Sequence, residues 1–540
     1  MRNISIFFMV RRNDELLKDT MSKIVNQSLQ KIAKGTGIIF IGTIIGMLLG
    51  FVSRVIVVRY ITQSEYGIFS LALVLMSIFV TISTLGLQEG ATRYIAYFRG
   101  KNEERKVRGV ISSSIKITLV ASVIFSLILF LSADIISGNI FHISELSTPL
   151  KIFSAAIPFT VLIGIFTSIF RGFDEVKPNV YFQNILRNVL FILFLVTVAL
   201  LGLSFPGVIY AYLASIVITC VVFGIYAMKK LPLTFSVKKG ADDATTINPM
   251  GKELLFFSLP LLINAVIYMV MSWADTLMLG HFKNTNVVGL YNAALPLARL
   301  IPIALTSVGF IYVSIVSGLY SKGLIEEMGR TYQVITKWIF SVTIPLFFIL
   351  FIFPETALNF LFGMNYVKAA STLRILASGF MFHTFLGLNG LSLTVIGKTR
   401  FIMIVGFIAA ISNVILNIAM IPNFGIVGAA FASFFSYSMV NILYSIKLYK
   451  FSKIHPFTRN YVKLVGITIV LLGLIYAFFS FLKIEFWMPP LLLFLFLFGY
   501  GLLLLLSRSF DKEDIDMLLA IEKRAGVDLT LVKKVLRRFV

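Results

Sequence analysis

The chain is 540 residues long, 58% hydrophobic and 14% charged, with a mean hydropathy of +0.92; a soluble domain carries about 25% charged residues, so an ordinary soluble enzyme is excluded. Four histidines and one cysteine, Cys220, are too few for a Cys/His zinc site, an iron–sulfur cluster or a disulfide framework. The 48 Lys and Arg against 25 Asp and Glu, a formal +23, read first as membrane topology, because basic residues concentrate in cytoplasmic loops.

The N-terminal stretch holds a short apolar run, Ile4 to Val10, before Arg11 and Arg12, and no cleaved signal peptide is expected. From Leu16 to Lys34 apolar residues recur at helical spacing among Lys, Gln and Asn, which predicts an interfacial helix; Met21 is an alternative start. Fourteen apolar runs then follow, each about 20 residues or longer as a span requires. They lie near 36–58, 67–88, 109–131, 149–170, 181–204, 206–227, 253–276, 288–315, 334–354, 369–394, 401–420, 425–446, 464–482 and 486–507.

With the N-terminus placed in the cytoplasm, about 37 basic residues fall in inner loops and about 4 (Arg59, Lys283, Lys368, Lys483) in outer ones, the bias expected of an even number of crossings with both termini inside. The predicted organisation is a cytoplasmic segment 1–34, a first lobe 35–228, a basic linker 229–252, a second lobe 253–447, two extra spans in 448–507 and a basic tail 508–540. The tail reads as two short amphipathic helices broken near Gly526, a basic surface for anionic lipid.

The first twelve spans carry an internal duplication. GVIYAYLAS (Gly207 to Ser215) is matched by GIVGAAFAS (Gly425 to Ser433), and Gly172 and Asn188 keep the spacing of Gly397 and Asn413. Gly67-Ile68-Phe69 answers Gly289-Leu290-Tyr291. Six spans per half make a parallel repeat about an axis along the membrane normal, with substrate expected between the halves.

An ionisable residue deep in a span is a functional hypothesis by default. Lys116, Lys151 and Lys337 lie near span ends and are expected to snorkel. Arg54, Arg187, Asp275, Arg299 and Arg374 lie deeper. Gly42, Gly46 and Gly50 form a packing ridge that ends at Arg54, and Asn264, Tyr268, Ser272 and Asp275 draw a polar stripe down span seven. Asn184, Arg187 and Asn188 cluster on span five. Asn292 and Arg299 share a face of span eight. The repeat sets Arg54 opposite Asp275, as a fixed salt bridge, as a gate that breaks when the halves rock, or without contact. Four of the five deep charges are basic, which suits a phosphate or pyrophosphate ligand. His383, about 180° round its helix from Arg374, is read either as a packing residue or as a proton-coupling site.

Gly397-Lys398-Thr399 resembles a nucleotide-binding GKT, but Gly390 precedes it by seven residues where the phosphate loop needs five. ATP hydrolysis by this chain is therefore not expected. No cofactor and no metal are expected, and the energy source is open among a proton, a sodium ion, the substrate gradient and a partner. Short outer loops with few carboxylates disfavour a membrane transferase, and no enzymatic activity is expected.

Three segments carry a family resemblance: LGLQEGATRYIAYFRGK (Leu85 to Lys101, with Arg93), ADTLMLGHF with VGLYNAALPLARL (Ala274 to Leu300, with Asp275 and Arg299), and SNVILNIAMIPNFGIVGAAFAS (Ser412 to Ser433). They resemble the polysaccharide transporter branch of the MOP flippase superfamily, the Wzx-like exporters of lipid-linked oligosaccharides, in an archaeal form. The resemblance implies an all-α integral membrane fold of 14 transmembrane helices, two six-helix lobes in the V of MATE and MurJ-type transporters plus two extra helices. It implies alternating access and a basic cavity for a phosphate-linked sugar, with the polyprenyl tail left in lipid.

The function expected is export of a polyprenyl-(pyro)phosphate-linked oligosaccharide across the cell membrane, for surface polysaccharide assembly or protein glycosylation. The partners expected are that substrate, membrane lipids and glycan-assembly enzymes, not nucleic acid, around a monomeric transport unit. Arg54, Arg187, Arg299, Asn184, Asn188, Asn264 and Tyr268 are the candidate cavity residues; Asp275, Arg54, Arg93, Arg374 and His383 are the candidate gate or coupling residues. A MATE-like multidrug and cation antiporter is the alternative, and it would call for an acidic cavity.

Overall fold

A computed structural model describes residues 42–231, 241–480 and 488–506, and every regular element in them is helical. The predicted interfacial helix before residue 35, the alternative start at Met21 and the tail 508–540 lie outside the described residues. The first half comprises α1 (Gly42–Tyr60), α2 (Gln63–Ser83), α3 (Leu87–Gly100), α4 (Glu104–Ile135), α5 (Ser147–Ser154), α6 (Ala156–Gly172), a π-helical segment (Asn179–Leu186) running into α7 (Arg187–Leu200), and α8 (Phe205–Lys230). The second half comprises α9 (Ala241–Phe282), α10 (Thr285–Ala298), α11 (Ile303–Ser321), α12 (Ile325–Ile352), α13 (Pro354–Phe362), α14 (Ala370–Leu386), α15 (Asn389–Val395) and α16 (Thr399–Ser452), followed by α17 (Arg459–Ser480) and α18 (Met488–Leu506). Because α9 begins at Ala241, the later part of the expected linker 229–252 is helical and extends span seven.

Among the described residues nine helices are long and apolar enough to cross a membrane, and three bent pairs qualify as single spans. One of the nine, α16, joins two predicted spans through Gly425, whose φ of 54° and ψ of −129° are reached readily by glycine. With α18 added, the set is compatible with the fourteen crossings read from the sequence.

The bends have local causes. The pair α10 and α11 is bent by 52° ahead of Pro302, which has no N–H to continue a helix. The pair α14 and α15 is bent by 42° at Gly387, with φ 72°, where a Cβ would stand 2.2 Å from Thr336 Oγ1. Predicted span two ends earlier than expected. Leu85 and Gly86 both have positive φ, so α2 stops at Ser83 and Arg93 sits on the separate helix α3.

Small residues set the close approaches, as they do where helices pack in lipid. Along α1, a Cβ on Gly42 would meet Val180 at 2.0 Å and one on Gly46 would meet Asn184 at 2.6 Å, so the glycine ridge seats α1 on the π-helical segment. The two halves touch at both ends of the bundle. At the charge-poor end, the first turns of α2 and α10 lie against each other, with Ser64 Oγ 2.5 Å from Thr285 Oγ1 and Gln63 Nε2 donating to Asn286 O at 2.8 Å. Arg59 adds to this side by donating to the carbonyls of Leu361, at 2.8 Å, and Phe360 at the end of α13. At the basic end, α3 rides on α9: Gly86 would bring a Cβ within 2.2 Å of Ser258 O, and Gly90 within 2.1 Å of Ser258 Oγ.

Candidate functional site

A cavity of about 200 Å³ opens within the first half. Arg54 and Ser53 reach it from α1, Tyr66 and Ser70 from α2, Arg187 and Asn188 from α7, and Tyr212 and Ser215 from α8. Trp273 on α9 and Asn292 on α10 close it from the second half. Arg54 and Arg187 are half-buried, and neither has a hydrogen-bond or ion-pair partner among the described residues. Asn188 donates to Gly46 O at 3.1 Å and Asn184 O at 2.7 Å, which uses both amide hydrogens, fixes the side chain and leaves Oδ1 as an acceptor. Tyr66 donates to the Asn292 main-chain carbonyl at 3.1 Å, so the roof of the cavity is itself a junction between halves. Two guanidinium groups beside one space can offer planar forks to phosphate or carboxylate oxygens.

Asp275 lies elsewhere. It is buried, at 6% exposure, and its carboxylate accepts four neutral hydrogen bonds. Asn413 and Asn417 donate to Oδ1 at 3.3 and 2.7 Å, and Tyr291 and Ser433 to Oδ2 at 2.5 Å each. One acid thus ties α9 to α10 and to both arms of α16. Arg54 is not among its partners, so of the three relations expected for Arg54 and Asp275, the structure shows the one without contact. The two sites are nonetheless related. The duplication matches Phe69, Asn188 and Ser215, which line the cavity, with Tyr291, Asn413 and Ser433, which hold Asp275. The same positions enclose a carboxylate in one half and an open basic cavity in the other.

The remaining candidates divide by location. Arg299 closes α10 at its bend, donating to Ser272 O at 3.0 Å with its guanidinium 5.4 Å from the Trp273 ring, so it stands behind the residue that walls the cavity. Asn264 and Tyr268 are exposed on α9, Tyr268 at 79%, and Asn184 packs against Gly46 without lining the cavity. Arg93 stacks over Phe257 at 4.3 Å, and its neighbour Tyr94 donates to Glu253 at 3.2 Å; both contacts join α3 to α9. Arg374 pairs with Glu355 at 3.1 Å and caps Phe351 O at 3.0 Å. His383 Nδ1 lies 2.7 Å from Asn441 Oδ1, in a network where Asn389 donates to Asn441 O and Ser445 Oγ. Neither Arg374 nor His383 lines the cavity.

The expectation for Lys337 is corrected: it is buried at 5% exposure and does not snorkel to the surface. Lys151 pairs with Asp134 at a half-exposed position, and Lys116 is exposed. Residues that the sequence did not single out include Trp273, Tyr66, Tyr212 and Tyr291. The repeat carried a signal for Tyr291, since Gly289-Leu290-Tyr291 is one of the matched triplets; Trp273 has no such mark.

A family profile described as polysaccharide biosynthesis protein matches residues 32–312, and one described as MatE matches residues 260–419. An uncharacterised membrane protein of Methanocaldococcus jannaschii is 24% identical over 421 residues, 76% of this chain and 82% of that protein. The probable low-salt glycan biosynthesis flippase Agl15 of Haloferax volcanii is 24% identical over 434 residues, 78% of this chain and 84% of that one. Among solved structures, the lipid II flippase MurJ in an inward closed conformation is similar in fold, with a TM-score of 0.67 and 16% identity over 86% of this chain and 98% of that chain.

Proposed function

The chain belongs to the polysaccharide biosynthesis protein family of the MOP superfamily, and from that premise we propose that it is a flippase for a polyprenyl-(pyro)phosphate-linked oligosaccharide. It is a multi-pass membrane protein. In this reading it sits in the cell membrane with both termini in the cytoplasm, its basic end inward, and moves the glycan from the inner to the outer leaflet for surface polysaccharide assembly or protein glycosylation.

The observation that carries the reading is the cavity's charge. Arg54 and Arg187 line it without a counter-charge among the described residues, whereas the deep acid, Asp275, is enclosed by four neutral donors. Such a cavity recruits phosphate oxygens and repels a cationic drug, which disfavours the MATE-like antiporter. Arg54 and Arg187 hold the phosphates, and Asn188, with Asn264 and Tyr268 on the exposed face of α9, contacts the sugars. Arg299 positions Trp273. The chemistry is physical movement with no covalent step.

A ligand drives rocking of the halves only through differential affinity for the two openings. In this reading Asp275 and Arg93 couple to it, a role supported by the first linking three helices of the second half and the second joining the halves at the basic end. Lipid substrate and membrane lipids are the partners of this reading, and glycan-assembly enzymes supply and consume the substrate. The test is transbilayer movement of a fluorescent polyprenyl-pyrophosphate sugar in liposomes without ATP. Protein-dependent movement that is lost in Arg54→Ala and Arg187→Ala supports the reading. Gradient-driven uptake of an organic cation, with no movement of the sugar lipid, sinks it.

A further inference from the structure

The segment that delivers Arg187 and Asn188 to the cavity is wound differently from its counterpart in the repeat. Asn179–Leu186 is π-helical over eight residues, whereas π turns mostly occur singly inside α-helices, often at functional sites. The main-chain N–H of Arg187 donates to Phe182 O, five residues back, so the π winding sets where Arg187 leaves the helix. The match of Gly172 and Asn188 with Gly397 and Asn413 pairs residues 179–186 with 404–411, and that stretch of α16 is α-helical throughout.

The two windings bring the matched asparagines to different heights. Asn413 donates to Asp275 at 3.3 Å, the residue that the repeat sets opposite Arg54. Asn188 donates instead to Gly46 O, about two turns before Arg54 on α1. A π winding holds more residues per turn and rises less with each than the ~1.5 Å of an α-helix, so Arg187 and Asn188 stop short of the level their counterparts reach. The π form is held from both sides. Gly42 and Gly46 leave room for Val180 and Asn184, which a Cβ would meet at 2.0 and 2.6 Å, and Phe182 stacks on Phe223 of α8 with ring centroids 4.4 Å apart. One group goes unsatisfied: the buried Asn179 Oδ1 has no hydrogen-bond partner among the described residues, a cost that this winding carries.

We propose, on the reading that this cavity receives the substrate's phosphates, that Asn179–Leu186 is a winding switch. Its π form presents Arg187 to the anion beside Arg54. Conversion of a π turn to the α form of 404–411 shifts the register by about one residue, which rotates Arg187 by about 100° and carries it along α1 toward the level of Arg54. The cavity then loses one of its two cations. This supplies the difference in affinity between the two openings that a ligand needs in order to drive the halves.

The experiment measures binding of inorganic pyrophosphate to the purified full chain, native and with Gln183 deleted, a change that takes one residue out of the segment and favours the α form. Binding at least tenfold weaker in the deletion variant is expected, although Arg54 and Arg187 are both present. Equal affinity overturns the proposal, as does failure of the native chain to bind pyrophosphate. A second measurement needs no variant: amide hydrogen exchange in the native chain compares 180–187 with 404–411. The first segment should exchange at least tenfold faster, and pyrophosphate should slow it at least fivefold while leaving the second unchanged. Equal rates in the two segments, or rates indifferent to pyrophosphate, overturn the proposal whether or not the deletion variant folds. Neither measurement involves movement of a sugar lipid, so a chain that meets both expectations and moves no sugar lipid overturns the proposed function while the switch at the anion site stands.

Discussion

Gly67 and Gly289 face each other across the junction of the two halves, each against the first turn of the other's helix. A Cβ on Gly67 would stand 1.9 Å from Thr285 O and 3.1 Å from Gly289 N; one on Gly289 would stand 2.3 Å from Gln63 O. Thr285 precedes Gly289 by four residues and Gln63 precedes Gly67 by four, so the contact is reciprocal, as a two-fold relation between duplicated halves requires. The glycines are the matched glycines of the repeat, and here the repeat axis is a place of contact.

Substituting either glycine by alanine drives a methyl group into main chain that has no room to yield. Gly67→Ala and Gly289→Ala should therefore disfavour this closed junction by about 1–3 kcal/mol, the range for overpacking. In a Cys220→Ser background, Ser64→Cys and Thr285→Cys should cross-link readily, and either alanine should lower the yield severalfold. Undiminished cross-linking would show that the junction is not closed by these glycines.

Arg54 and Arg187 have no partner among the described residues, so removing one charge orphans nothing. Arg54→Gln and Arg187→Gln should leave the melting temperature nearly unchanged and lower sugar-lipid movement tenfold or more, since a hydrogen bond to a charged group is worth about 1.5–3 kcal/mol. A large loss of stability with movement retained would mark them as packing residues.

Asp275 behaves in the opposite way. Asp275→Ala strands the donors of Tyr291, Asn413, Asn417 and Ser433 in a dry interior, each at a cost of about 1–3 kcal/mol, and should unfold the second half or lower its melting temperature markedly. Ser433→Ala removes one donor of four and should cost far less. Equal melting temperatures for the two variants would be incompatible with the observed network.

The Arg374–Glu355 pair is partly exposed, at 27% and 46%, and exposed pairs contribute about 0–1 kcal/mol. Glu355→Gln should leave both stability and sugar-lipid movement close to those of the native chain. A tenfold loss of movement would return Arg374 to the gate.

How much of this was legible beforehand differs from residue to residue. Hydrophobic runs marked the spans, because burial in lipid acts on each segment alone, and the pairing of Gly67 with Gly289 was present as a repeated triplet. Gly387 and Leu85-Gly86 break helices through backbone conformations and neighbours that a hydropathy pattern does not record, which is why Arg93 left span two for a helix of its own. Lys337 could not be placed by its distance from a span end, since its burial is set by α12's neighbours.

The sequence by itself determined an all-helical membrane chain, its duplication, the basic bias of its deep charges and its family. Only the tertiary structure decided which of those charges meet. Positions related by the repeat touch only where they lie on its axis, as Gly67 and Gly289 do. Arg54 and Asp275 lie off it, so the same duplication that aligned them set them apart, one beside an open cavity and the other enclosed by its own half. That distance from the axis is a property of packed helices, and no single helix carries it.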